Sequence, residues 1–140
     1  MSTGKIGRIF IDTSAFIALY VKSDEFHKEA LQTLEQLKKN SEIFTSNFIL
    51  DEVYTFLRAR YGKKIAVAFS KFITEDAGGL FVVRTSVEDE EKALDYFNEL
   101  DGRGVSYTDC ASFACMKRLN IETAFSFDRD FMKAGFKVIP

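Results

Sequence analysis

The sequence predicts an α/β sandwich built on a parallel sheet, and three observations point there. Short apolar runs alternate with segments of helical periodicity along the whole chain. The run Arg8-Ile9-Phe10-Ile11 is apolar after its first residue rather than alternating, as in strands covered on both faces. The chain has 140 residues, 46% of them hydrophobic and 15 of them Phe, which fits one domain over 1–140 with one sizeable core.

In chain order, 8–11 reads as a strand and 13–21 as a mostly apolar helix. From residue 24 or 25 to 39 the spacing of Phe26, Ala30, Leu31, Leu34 and Leu37 predicts an amphipathic helix. A second strand is expected at 43–45. Asn47 then caps a helix over 48–61, stopped by Gly62. Residues 64–73 read as a further helix, ended before Gly78-Gly79. The run Leu80-Phe81-Val82-Val83 is a third strand, 87–100 an amphipathic helix, and Ser106 caps a helix reaching Leu119. A fourth strand at 123–127, a short helix at 130–134 and a last strand at 136–139 complete the alternation, which defines an α/β fold. Such sheets bind ligands beyond the carboxyl ends of their strands.

Composition excludes several functions. Nineteen Lys+Arg against 21 Asp+Glu leave a net charge of −2, so electrostatics alone does not mark a nucleic-acid binder. The basic runs Arg58, Arg60, Lys63, Lys64 and Lys117, Arg118 fit solvated helix ends as well as RNA phosphates. Cys110 and Cys115 lie five residues apart in a helix, on different faces, and read as buried free thiols. No charged-then-apolar leader and no long apolar run is present, so a soluble cytoplasmic protein away from membranes is expected. There is no G-x-x-x-x-G-K-[ST] and no G-x-S-x-G, against an NTPase and a serine hydrolase.

The informative residues are acids. Asp12 stands between Ile9-Phe10-Ile11 and Ala15-Phe16-Ile17, where a charge is costly unless paired, although Asp also makes a good helix cap. Asp51, Thr55 and Arg58 share a polar helix face, whereas Glu52 has Phe48, Ile49 and Phe56 as neighbours and points inward. Asp109 closes the capping-box pattern Ser106-Tyr107-Thr108-Asp109 ahead of a helix that is apolar nearly all round. Asp128 leaves the fourth strand first, with Asp130 the alternative beside it.

Each acid has an ordinary explanation alone, but all four are expected at one sheet edge. A carboxylate pair about 4 Å apart at an effective dielectric near 20 costs about 4 kcal/mol, which a hard divalent cation relieves. Mg²⁺ fits, with Mn²⁺ the alternative. Zn²⁺ does not, because His27 is the only histidine and reads as a surface residue, and the cysteines are poorly placed. Carboxylate-held Mg²⁺ without a phosphate loop suits phosphodiester hydrolysis.

Four segments carry a family resemblance. Ile9-Phe10-Ile11-Asp12-Thr13-Ser14-Ala15, Ile49-Leu50-Asp51-Glu52-Val53, Ser106-Tyr107-Thr108-Asp109-Cys110 and Phe127-Asp128-Arg129-Asp130-Phe131 resemble, in order, the four motifs of PIN-domain nucleases. Spacing and length are similar to the VapC-like toxins. The resemblance implies a three-layer α/β/α sandwich with a parallel sheet of four or five strands. It implies Asp12 and Asp109 as principal Mg²⁺ ligands, completed by Glu52 and Asp128. Thr13 and Thr108 would support the carboxylates by hydrogen bonds, with Asp130 assisting. It further implies RNA as substrate, a homodimer, and an antitoxin whose basic C-terminal segment enters the acidic site.

Other readings are weaker. An aspartyl phosphatase wants a second Asp two residues after the first, where Ser14 stands. A receiver domain wants an acidic pair near the first strand, which is missing. A non-catalytic module docking a basic peptide differs from a nuclease only in leaving RNA intact.

Overall fold

A computed structural model describes residues 7–76 and 78–140. Five strands, β1 (Gly7–Ile11), β2 (Ser41–Ser46), β3 (Leu80–Val83), β4 (Thr123–Phe125) and β5 (Lys137–Ile139), form one sheet in the order β3-β2-β1-β4-β5. All neighbours pair in parallel, as the continuous apolar runs predict. The helices are α1 (Thr13–Tyr20), α2 (His27–Asn40), α3 (Asn47–Tyr61), α4 (Lys63–Lys71), α5 (Val87–Glu99), α6 (Tyr107–Arg118) and α7 (Asp130–Lys133). Together with the sheet they make the three-layer α/β/α sandwich expected from the sequence. Among the described residues no helix is long and apolar enough to cross a membrane.

The topology decides where a site can form. From the central β1 the chain builds outward through β2 to β3, then returns to β1's other side for β4 and β5. The order therefore reverses between β1 and β4, and the crevice beyond their carboxyl ends is the natural ligand position. Asp12 follows β1, and its amide donates to the Phe125 carbonyl at 3.2 Å. Ser126 follows β4, and its amide donates to the Ile139 carbonyl at 3.0 Å. Both exits are thus pinned by ladder-like bonds.

Helix α6 is buried from Asp109 through Met116 and packs against α3 and α5. Phe113 lies edge-on to Phe131, 5.0 Å between centroids, inside the core formed with Phe10, Phe69 and Phe125. Cys110 and Cys115 are buried free thiols, and burial raises both to a pKa of about 11.

Several boundaries differ from expectation, each for a local reason. Helix α2 starts at His27 because the preceding turn is taken by Asp24, whose Oδ1 accepts from the Phe26 amide at 2.9 Å. Ser46, not Asn47, caps α3, accepting from the Ile49 amide at 3.2 Å. Asn47 Oδ1 instead accepts from the Thr85 amide at 2.8 Å, tying α3 to the segment after β3. Helix α4 continues into a wider π turn over Phe72–Asp76. Strand β4 ends at Phe125 rather than residue 127, because the Phe127 amide donates to Ser14 Oγ at 2.8 Å.

The basic run at Lys117 and Arg118 is structural. Arg118 Nη2 donates to Asp89 Oδ2 at 2.7 Å and to the Arg84 carbonyl at 3.2 Å. Asp89 is buried and forms a capping box with Ser86 at the start of α5. Lys117 Nζ sits 5.7 Å from the Phe136 ring centroid. Burial alone would raise the Asp89 pKa, but the Arg118 and Ser86 hydrogen bonds and the Arg118 charge bring it to about 2. A depressed acid contributes stability that is present above its unfolded value and lost as pH falls through its folded one. Arg118→Ala leaves the buried Asp89 charge unpaired. Its expected cost is about 3 kcal/mol at neutral pH, at the low end for a broken buried pair because Arg118 is half exposed. The cost should shrink as pH falls below 4, where Asp89 of the variant is protonated. Urea unfolding at pH 7 and pH 3.5 measures both.

Candidate active site

Asp12 caps α1 and is 3% exposed. Its Oδ1 accepts from Ser14 Oγ at 2.8 Å and from the Ala15 amide at 3.2 Å. Its Oδ2 accepts from Ser126 Oγ at 2.8 Å. A carboxylate offers about four lone-pair positions, so these bonds leave roughly one, on Oδ2. Glu52, half-buried on α3, accepts on Oε1 from Thr13 Oγ1 at 2.5 Å, while Asp51 is exposed, as the helix-face argument requires.

Asp109 is the third residue of α6. Its Oδ2 accepts from the Ser106 amide at 3.1 Å, and Ser106 Oγ accepts from the Asp109 amide at 3.0 Å. The capping box and inward placement therefore coexist. The Asp128 amide donates to Ser126 Oγ at 2.9 Å, and Asp128 Oδ1 accepts from the Asp130 amide at 2.9 Å.

These four acids line a single cavity of about 490 Å³. Asp24 adds a fifth carboxylate, and Ile17, Phe26, Phe56 and Phe127 form an apolar wall. A tighter grouping overlaps it: carboxylate oxygens of Asp109, Asp128 and Asp130 lie within 4.8 Å of one another. The two groupings disagree over Asp130. Its Oδ1 is 2.8 Å from Lys133 Nζ, so it already has a cation, and it is not among the residues lining the cavity. The Lys133–Asp130 pair packs on the 102–104 loop, where a Cβ at Gly104 would lie 3.1 Å from Asp130 Oδ2. Gly102 has φ +106, and a Cβ there would lie 2.8 Å from Lys133 Nζ.

Among the described residues the lining acids form no ion pair, although the Lys133 charge opposes the rise at Asp128. Ion pairs at Arg8–Glu42, Arg118–Asp89 and Lys133–Asp130 leave Asp12, Glu52, Asp109 and Asp128 without a Lys or Arg partner among the described residues. Burial pushes Asp12 up to about 7 against the pull of its hydrogen bonds, and the Asp109 charge adds to the rise. Burial likewise raises Asp109 to about 6, with the Asp128 and Glu52 charges contributing. Asp128 is raised by burial and by the Asp130 charge, against the pull of the Asp130 amide and the Lys133 charge. A hard-oxygen set that resists holding its own charge fits a divalent cation such as Mg²⁺ or Mn²⁺. His27 lies outside the set, its Nδ1 donating to the Ala18 carbonyl at 2.7 Å. It is half-buried rather than on the open surface, because this bond draws it against α1.

Thr108 corrects one expectation. Its carbonyl accepts from Ser112 Oγ at 3.0 Å, and its hydroxyl makes no hydrogen bond to these carboxylates among the described residues. The supporting hydroxyls are instead Thr13, Ser14 and Ser126. The last two went unassigned in the sequence, although Ser126 is the one polar residue in Ala124-Phe125-Ser126-Phe127. Of the basic residues after Glu52, Arg60 lies 5.6 Å from the centroid of Phe56, a cavity-lining ring.

Residues 9–137 match the PIN domain, and the chain belongs to the PIN-domain family. Within it, the chain is similar to the 23S rRNA-specific endonuclease VapC20 of Mycobacterium tuberculosis, with 34% identity over 128 residues, covering 91% of this chain and 95% of that one. The crystal structure of that VapC20, a sarcin–ricin loop cleaving toxin, is similar with a TM-score of 0.82 over 91% of this chain and 95% of that one. VapBC2 from Rickettsia felis, solved bound to a DNA fragment from its promoter, shares the fold with a TM-score of 0.72 at 16% identity, covering 94% and 97%.

The raised carboxylates set a sign for pH dependence. An acid whose folded pKa exceeds the unfolded value, near 3.9, keeps its proton in the folded state over the interval between them, so stability falls as pH rises through it. For Asp12, at about 7, the upper bound is about 4 kcal/mol. In EDTA, Tm should drop between pH 5 and pH 8, and Mg²⁺ or Mn²⁺ at pH 8 should recover it. Asp109→Asn keeps an oxygen for the Ser106 amide and should flatten the drop. A metal-free Tm that rises over this range contradicts uncompensated charge. Differential scanning calorimetry across that range decides.

Proposed function

We propose that this chain is a divalent-metal-dependent endoribonuclease, the toxin of a toxin–antitoxin pair. The observation that carries the reading is one cavity lined by Asp12, Glu52, Asp109 and Asp128, unpaired with any described cation, at the sheet's switch point. Similarity to VapC20 supports the reaction and suggests the sarcin–ricin loop of 23S rRNA as the first substrate to test.

Asp12 and Asp109 would be the principal holders of Mg²⁺ or Mn²⁺, with Glu52 and Asp128 completing the set directly or through water. When bound, such an ion supplies Lewis acidity, activating water and neutralising charge on the phosphate and leaving oxygen. The chain's own residues fix that chemistry in space. Ser14 and Ser126 donate to Asp12 and set its carboxylate plane. Thr13 orients Glu52, and the α6 cap orients Asp109.

The negative cup would attract a basic peptide as readily as a metal, which fits an antitoxin with a basic C-terminal segment. A homodimer and action in the cytoplasm belong to the same reading.

Cleavage of ribosomal RNA by purified protein, stripped with EDTA and restored with Mg²⁺ or Mn²⁺, tests it. Asp12→Asn, Glu52→Gln, Asp109→Asn and Asp128→Asn should each lower the single-turnover rate by more than about 100-fold. Ser14→Ala and Ser126→Ala should cost about 10- to 100-fold, as losses of outer-shell support do. Asp51→Asn should remain near wild type. Intact RNA with both metals, alongside tight binding of a basic peptide, would favour the non-catalytic module.

A further inference from the structure

The apolar wall of the cavity has no part in the chemistry above, yet it is built as firmly as the acids. Phe26 and Phe127 are stacked, with centroids 4.6 Å apart and planes 8° from parallel. Phe26 remains 37% exposed. The stack covers one face of each ring and leaves part of the Phe26 surface open beside the cavity.

Both rings are anchored. The turn before α2 is fixed by the Phe26 amide donating to Asp24 Oδ1 at 2.9 Å and by His27 Nδ1 donating to the Ala18 carbonyl at 2.7 Å. On the other side, the Phe127 amide donates to Ser14 Oγ at 2.8 Å, and the same hydroxyl donates to Asp12 Oδ1 at 2.8 Å. One serine therefore sets the position of the shelf relative to the acid cup.

We infer that the Phe26–Phe127 pair is a nucleobase shelf, taking an unstacked base of the RNA strand beside the scissile phosphate. The inference rests on the ribonuclease reading. Five carboxylates around the cavity repel the phosphates of a substrate, and a chain of net charge −2 gains little affinity from counterion release. Stacking on an aromatic face supplies affinity that does not depend on charge. Bases inside an RNA helix are already stacked and cannot use the shelf, so it selects loops and other unpaired segments. Phe26 is thus a specificity residue, and its aromatic face is what matters.

The test uses the full chain with Mn²⁺. Cleavage of total ribosomal RNA locates the cut. A hairpin carrying that site is then made intact or abasic at each nucleotide flanking the cut. One abasic position should lower wild-type kcat/KM by roughly tenfold or more, the size of a lost base–aromatic stack. Phe26→Ala should lose a similar factor on the intact hairpin and nothing further on the abasic one. Phe26→Trp should retain the preference, whereas Phe26→Leu, which keeps apolar bulk, should lose it. If thermal unfolding shows Phe26→Ala to be misfolded, Phe26→Leu carries the same comparison. Losses that multiply independently, or Phe26→Ala or Phe26→Leu cleaving intact hairpin at the wild-type rate, overturn the shelf and leave the rings to a protein partner. No metal-dependent cleavage by the wild-type chain overturns the ribonuclease reading itself.

Discussion

Negative charge at the ends of β1 and β4, outside the ion pairs of the described residues, is the constraint on which the structure turns. Placing Asp12 at 3% exposure among Ala15, Phe16 and Ile17 costs free energy that no described Lys or Arg offsets. The surrounding framework has to be stiff to hold that arrangement. It is supplied by the fully packed α6 below Asp109 and by ladder bonds that pin both strand exits. The same buried acids that weaken the metal-free protein at neutral pH are the feature that makes a cation welcome.

Hydroxyls, rather than cations, order the carboxylates. Ser14, Ser126 and Thr13 each donate to an acid, so orientation is set without neutralising the charge. Had lysines done this work, the cup would have been ion-paired and closed to metal. Asp130 shows the contrast: it sits close to Asp109 and Asp128 but is ion-paired to Lys133 and crowded by the 102–104 loop.

The fold was legible because its signals are local. Ile9-Phe10-Ile11 and Leu80-Phe81-Val82-Val83 declare buried strands within a few residues, and alternation with helices implies the parallel sheet. The four lining acids were legible because each interrupts or borders an apolar run, and periodicity alone separated Glu52 from Asp51. What stayed hidden depends on pairs distant in the chain. Ser126 reaches Asp12 across 114 positions, and Arg118 reaches Asp89 across 29. Neither spacing has a periodic signature, so Ser126 looked like a strand residue and Arg118 like a solvated helix end. The end of β4 moved for the same reason, since Ser14 accepts from the Phe127 amide across 113 positions.

The burial of α6 on every side has a consequence for control. A helix enclosed from Asp109 to Met116 has no soft direction in which to shift, tilt or unwind short of opening the core. Deforming the geometry of the proposed centre is therefore an expensive way to silence this protein. An inhibitor that works must act as a stopper, occupying the mouth or neutralising the floor, and its release should return a centre already in working order.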